Sequence, residues 1–509
     1  MKLNYSKKSR TLSIILAFML IVSIILFATS CGNDNNNTSN NNQNAVGEEG
    51  NYFDDSEVQG RESERILADV PVVDYNGHQF NVLTFGVQGS YEWENFDISV
   101  EEENGEPIND AVYTRNRIIE EKYNININQI HMYDGNFGTS LRNAIGAGTN
   151  DYDLISPRLV DSAGYIQDGF FLNLFTVPNI DLGKPWWDSQ GVAEMSIDNK
   201  IFLVLSDILL SDDNATSITI FNKKLAQDYG LEDPYALVRD GKWTIDKLYD
   251  MAKATAVDLN GDGQMTSDAD QFGYLTWNDA MVTYLHSGGE RLISKDENDL
   301  PVLTFNNERT YEIVNKVMDL LCDENVTGNV QKPTFSDTTF EDIFSANRAT
   351  FAWVRLYMVP RLRAMDADFG ILPVPKIYEN TPDYISTVNV HTACSLAIPV
   401  TSDGDDLDRA TIIMEALAAE AHYLLPPAYY EVSLRTKHAR DEESSEMLDI
   451  ILSNRAIDVG DVYNFADFGI NFYRLAQSND RNLASFYDRY ETRVNTAIDR
   501  LIQRFEGLD

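Results

Sequence analysis

The amino-acid sequence predicts an α/β protein with two domains on one chain. Its 509 residues exceed what a single core normally serves. Strand-like runs alternate with helical ones through most of the length, the pattern of a largely parallel sheet. A composition of 43% hydrophobic and 11% aromatic residues suits a folded body. The block 217–252 shows the logic in miniature. Ser217 to Phe221 alternates β-branched residues as a strand does, and Lys223 to Tyr229 suits a short helix. Gly230 stands where a helix end favours a left-handed residue, and Thr244 suits the N-cap of a helix burying Leu248, Met251 and Ala252.

The first 30 residues read as an export signal. Lys2, Lys7, Lys8 and Arg10 form a basic start, Thr11 to Phe27 is mostly apolar, and Ala28, Thr29 and Ser30 lead into Cys31. Residues 31–70 are rich in Asn and then acidic, with little to bury, and are expected to form a disordered tether. Acids outnumber bases 80 to 40, a formal charge of −40, which argues against nucleic acid and anionic lipid headgroups as partners. The three cysteines, Cys31, Cys322 and Cys394, lack metal-ligand spacing, and whether the last two are bridged stays open.

Along the body, Asn76-Gly77 marks a turn before a strand reaching Phe85. Val112, Ile119 and Tyr123 share a helix face expected to be capped by Asn109 or Asp110, and Ile125 and Ile127 resume strand alternation. A helix is expected over 139–147, ended by Gly148, and a strand over 152–156. Ligands of such sheets sit beyond the carboxyl ends of strands, here residues 86–95 and 156–161. Further strands are expected at 272–277, 349–354 and 369–376, with helices at 279–286, 311–321, 341–346, 409–422 and 444–454. A final amphipathic helix carries Phe486, Tyr490, Val494, Ile498, Leu501 and Phe505 on one stripe.

Two stretches resemble signatures of bacterial extracellular solute-binding proteins of ABC sugar transporters, in their maltose-binding-like branch. One is Phe221 to Tyr235 running on to Gly241-Lys242-Trp243-Thr244; the other is Tyr152 to Leu174, with Gly164-Tyr165, Gln167 and Gly169 in order. The resemblance extends from about Val72 to the C-terminus. It implies a two-lobe, periplasmic-binding-protein-like (type II) fold with an interlobe cleft and a helical C-terminal region. Lobe 1 would comprise 71–214 and 388–440, lobe 2 would be 215–387, and helices in 441–509 would pack on both. The small residues before Cys31 resemble a lipobox, implying cleavage there and a lipid on Cys31 that tethers the protein to the membrane.

What the resemblance implies functionally is a receptor that captures a carbohydrate, an oligosaccharide by its aromatic supply, and hands it to an ABC permease without chemistry, as a monomer. Sugars present C–H faces and hydroxyl rims, so flat aromatic rings and hydrogen-bonding side chains are the candidates. They are Trp93, Trp186, Trp187, Trp277 and Trp353 with Arg158, Asp161, Asn214 and Arg355, and His391 beside them. Asp258, Asn260, Asp262, Gln264, Asp268 and Asp270, within 258–270, follow EF-hand loop spacing and suggest a structural calcium, although position 12 is Ala269 rather than Glu. No zinc-protease helix, phosphate-binding loop, nucleophile elbow or dinucleotide fingerprint is present, which argues against an enzyme. A surface sensor and a secreted carbohydrate-active enzyme are the alternatives.

Overall fold

A computed structural model of the protein describes residues 65–87, 97–133, 135–335, 338–434 and 442–508. The export signal, Cys31, most of the tether, and Trp93 lie outside them.

One compact unit runs from Ile66 to Asp509, and Ala68, Val70 and Val73 pack against its core. Asn76 and Gly77, at φ 54° and 76°, make the expected turn into β1 (His78–Gly86). Helix α1 (Pro107–Tyr123) starts at a proline after Glu106, and no side chain caps it. The expected caps do other work: Asp110 accepts from the N–H groups of Asn104 (2.9 Å) and Gly105 (3.2 Å), and Asn109 donates to the Glu102 carbonyl. Strand β2 (Ile125–Tyr133), helix α2 (Asn136–Ala147), strand β3 (Leu154–Ser156) and helix α3 (Leu159–Gln167) follow. The first sheet runs β2-β1-β3, all parallel. Antiparallel bridges from Ile155 to Ala397 and from Leu396 to Val204 carry it two chain segments further.

The second sheet holds β4 (Ser217–Asn222), β5 (Phe272–Thr276), β6 (Thr327–Asn329), β7 (Ala349–Arg355) and β8 (Phe369–Leu372), ordered β8-β4-β7-β5-β6. Strand β4 alone runs antiparallel to its neighbours. It is wholly buried, so both faces are apolar or small. Helix α4 (Lys223–Asp228) ends before Gly230 at φ 61°, and α5 (Ile245–Thr255) is capped by Thr244, whose Oγ1 accepts the Lys247 N–H. Helices α6 (Ala280–Ser287), α7 (Glu308–Leu321) and α8 (Phe340–Ser345) complete this part. Trp243 is fully buried, its indole donating to the Pro373 carbonyl at 2.9 Å.

The chain passes between the two sheets in adjacent segments. Thr216 bridges Val388, the Asn389 N–H donates to the Ala215 carbonyl (3.0 Å), and the Val388 N–H donates to the Ala456 carbonyl (2.9 Å). The expected helix over 409–422 does not stop there. Helix α9 (Gly404–Leu434) continues through Pro426 and Pro427, because its later residues Leu425, Ala428 and Tyr429 are buried and held by packing. Helices α10 (Glu442–Ser453), α11 (Phe468–Ser478) and α12 (Leu483–Glu506) end the chain. Phe305 meets Phe468, Phe472 and Phe486 edge-on, while Phe505 meets Phe202, so this region packs on segments from both halves. Cys322 and Cys394 are free thiols, the second buried.

Candidate ligand-binding site

The carboxyl ends of β1 and β3 in one sheet, and of β5 and β7 in the other, supply the side chains that meet beside the crossing segments. Arg158 precedes α3, lies over the Phe85 ring at 4.8 Å, and donates through Nε to Asp161 at 2.8 Å. Across from it, Arg355 at the end of β7 pairs with Asp279, which also accepts from Asn389 Nδ2 at 2.9 Å. His391, on the returning segment, links the two groups. Burial lowers its pKa, and Asp279, Arg158, Arg355 and Asp161 all act on its charge. Burial thus favours the neutral ring.

The aromatic layer beneath is Trp277 and Trp353, with centroids 6.1 Å apart and planes at 56°. Arg355 covers the Trp353 ring at 5.0 Å. Trp353 is 1% exposed and among the described residues its indole N–H finds no acceptor, whereas Trp277 is half-buried against Phe340.

A cavity of about 780 Å³ opens at the end of β2, on the side of the first sheet. Asn128, Gln129, His131, Tyr133, Asn109 and Asn214 line it, a wall rich in hydrogen-bonding groups. His131 stacks on Tyr133 at 4.8 Å and lies across the backbone of Gly86, where a Cβ would come within 1.8 Å of its Nε2. Only glycine at position 86 leaves the ring there. The floor is rigid: fully buried Arg115 donates to the carbonyls of Asp97 (2.6 Å), Ile98 (3.0 Å) and Ile208 (3.1 Å). Burial pushes the Asp97 carboxyl up to about 6, although it accepts the Leu210 N–H at 2.7 Å.

The structure therefore brings together Arg158, Asp161, Trp277, Trp353 and Arg355, with Asn214 in the neighbouring cavity, where it accepts from the Tyr429 hydroxyl at 3.1 Å. Trp186 and Trp187 lie apart, buried, with both indoles donating to Glu415 at 3.2 and 3.1 Å. They border a smaller cavity of about 200 Å³ beside Arg455, which pairs with Asp188, Asp212 and Asp213. In the loop 258–270, Asp258 accepts from the N–H groups of Gly261 and Gly263, Asp262 from Gln264, and Asp270 from Leu259 and Thr266. Among the described residues no group of three or more His, Cys, Asp or Glu side chains is arranged to hold a metal ion. Sequence reasoning missed Asp279, Asn389, His131 and Tyr133. The strand-end rule applied to β5 would have found Asp279.

A model of the family described as bacterial extracellular solute-binding proteins matches residues 100–403. No curated protein matches the chain. Among solved structures, the fold is similar to the ABC substrate-binding protein Lmo0181 from Listeria monocytogenes in complex with cycloalternan. The TM-score is 0.51 at 12% identity, over 85% of this chain and 100% of that one. The GacH receptor of Streptomyces glaucescens matches with TM-score 0.51 at 14% identity, over 82% of this chain and 99% of that one. The cyclic alpha-maltosyl-1,6-maltose binding protein from Arthrobacter globiformis matches with TM-score 0.53 at 14% identity, over the same shares. At these identities the likeness is one of fold. The family match spans more than half of the sequence, and the chain belongs to the bacterial extracellular solute-binding proteins.

Proposed function

We propose that this protein is a lipid-anchored receptor that captures an oligosaccharide between its two sheets and delivers it to an ABC permease. The observation that carries the reading is the junction itself. Arg158 and Asp161 from one half, Arg355 and Asp279 from the other, and the Trp277–Trp353 layer converge beside the crossing segments. Planar guanidinium and carboxylate groups suit the paired hydroxyls of a sugar rim, and aromatic faces suit its C–H surface. Contacts made to both halves at once favour the closed arrangement. Similar folds include receptors bound to cycloalternan and to acarbose. Anchoring is supported by the apolar run ending in Ala28, Thr29, Ser30 and Cys31.

A thermal-shift screen against neutral oligosaccharides tests the reading, because a ligand that binds only the folded state raises the midpoint. A sugar-specific rise lost in Trp353→Ala is expected; no rise with any sugar would end it. Metabolic labelling with a fatty acid, lost in Cys31→Ala, checks the anchor. We also propose that the loop 258–270 binds calcium as a brace, supported by its oxygen-ligand spacing. Calcium should raise the melting midpoint and Asp258→Ala should abolish that rise; an unchanged midpoint refutes it.

A further inference from the structure

The cavity of about 780 Å³ at the end of β2 adjoins the junction at two places. At the end of β1, Arg158 lies over the Phe85 ring at 4.8 Å, and His131, in the cavity wall, lies against the backbone of Gly86. In the crossing segments, Asn214 lines the cavity, and the carbonyl of Ala215 beside it accepts the Asn389 N–H at 3.0 Å. Asn389 in turn donates through Nδ2 at 2.9 Å to Asp279, the partner of Arg355. A chain molecule seated in the junction therefore has the cavity as its neighbouring space.

Its volume lies within the range of about 300–1,000 Å³ typical of small-ligand sites. The Tyr133 ring is held by its stack on His131, with planes at 13°, and its hydroxyl makes no hydrogen bond among the described residues. Asn128 spends Nδ2 on Asn81, and Asn109 spends its own on Glu102 and Asp110; among the described residues both Oδ1 atoms remain open to accept. Asn214 spends Oδ1 on the Tyr429 hydroxyl, and its Nδ2 remains open to donate. Mixed donors and acceptors suit hydroxyl groups, each of which does both. The described lining contains Asp97, Glu101 and Glu106 but no lysine or arginine. Arg115, buried beneath, is spent on three carbonyls and Asn116 Oδ1. An anionic group would meet repulsion here without a counter-charge. We propose that the cavity is a second saccharide subsite, holding the uncharged, hydroxyl-bearing continuation of a chain whose first units lie in the junction. The inference rests on the carbohydrate-receptor reading and adds the length and charge of the ligand.

Calorimetric titration of the full-length protein decides it with malto-, cello-, xylo- and manno-oligosaccharides of two and six units, and with hexagalacturonate as the acidic chain. In a neutral series that binds, the six-unit chain is expected to bind at least about tenfold more tightly than the two-unit chain, about 1.4 kcal/mol. Hexagalacturonate is expected to bind about tenfold or more weaker than the best neutral hexamer. Tyr133→Ala should bring long and short chains close to one affinity; should that variant fail to fold, Tyr133→Phe, which keeps the ring, should narrow the gap. An affinity that does not rise with length, a rise unchanged in the variant, or hexagalacturonate binding as tightly as the neutral hexamer overturns the inference and leaves the receptor reading intact. Binding of no chain, at either length, fails the receptor reading itself.

Discussion

Glu415 offers a pH test that also reports on the two tryptophans it holds. The side chain is 2% exposed, and its carboxylate accepts from both indoles and from the Asp181 N–H at 3.4 Å. Burial pushes its pKa from 4.5 up to about 7, against the three donors that pull it down. An acid raised in the folded state keeps a proton that the unfolded chain has released. Stability tied to Glu415 is therefore full below about pH 4.5 and is lost as pH rises through about 7. At about 1.4 kcal/mol per pH unit, that interval sets a ceiling of about 3 kcal/mol. Glu415→Gln removes the titration, but its amide N–H₂ must face one indole donor, costing about 1–3 kcal/mol at low pH. Denaturant unfolding at several pH values between 5 and 8, followed by tryptophan fluorescence, gives the difference between wild type and variant. Asp97 and Asp212, also raised by burial, titrate in both proteins and cancel. The difference should shrink as pH rises; a pH-independent difference would refute the buried, protonated carboxylate.

Asp458 is fully buried and accepts from His286 Nε2 (3.1 Å), Leu292 N–H (2.6 Å) and Gly460 N–H (2.7 Å), so Asp458→Asn, whose amide N–H₂ must face one of these donors, should cost about 1–3 kcal/mol in denaturant unfolding. Arg455→Met leaves Asp188, Asp212 and Asp213 facing one another, at a cost of about 3–5 kcal/mol, and the deficit should be smaller at pH 5 than at pH 8, because the carboxylates can then protonate. Gly86→Ala must expel the His131 ring from its place against the backbone. It should cost about 1–3 kcal/mol, with the histidine resonances shifting in NMR spectra.

Local signals were the legible ones. The strand ending at Phe221, the left-handed Gly230 and the Thr244 cap are written in neighbouring residues, and the structure repeats them. The antiparallel placement of β4 between β8 and β7 is set by pairing across about 130 residues or more, which no local pattern encodes. Helix α9 shows the opposite failure: two prolines argue locally for an end, and buried contacts on both sides override them. At the candidate site the strand-end rule reached Arg158 and Asp161. It could not foresee that Trp186 and Trp187 would share one buried glutamate 228 positions or more away, nor that α11 would pack against α6.

The double proline in α9 also has a mechanical meaning. Before it, the helix lies along α1; after it, Tyr429 and its neighbours lie against the Leu356–Leu362 turn that continues β7. Pro426 and Pro427 have no N–H to give, so the carbonyls of His422 and Tyr423 lose their helical partners at the place where the helix passes from one half of the molecule to the other. A rod with two of its internal ties cut bends there at less cost than anywhere else along its length. On the proposed capture of a ligand between the halves, their relative motion would load an elbow instead of shearing a packed interface, and Pro426→Ala with Pro427→Ala, which restores the two ties, should slow it while leaving every residue of the junction in place.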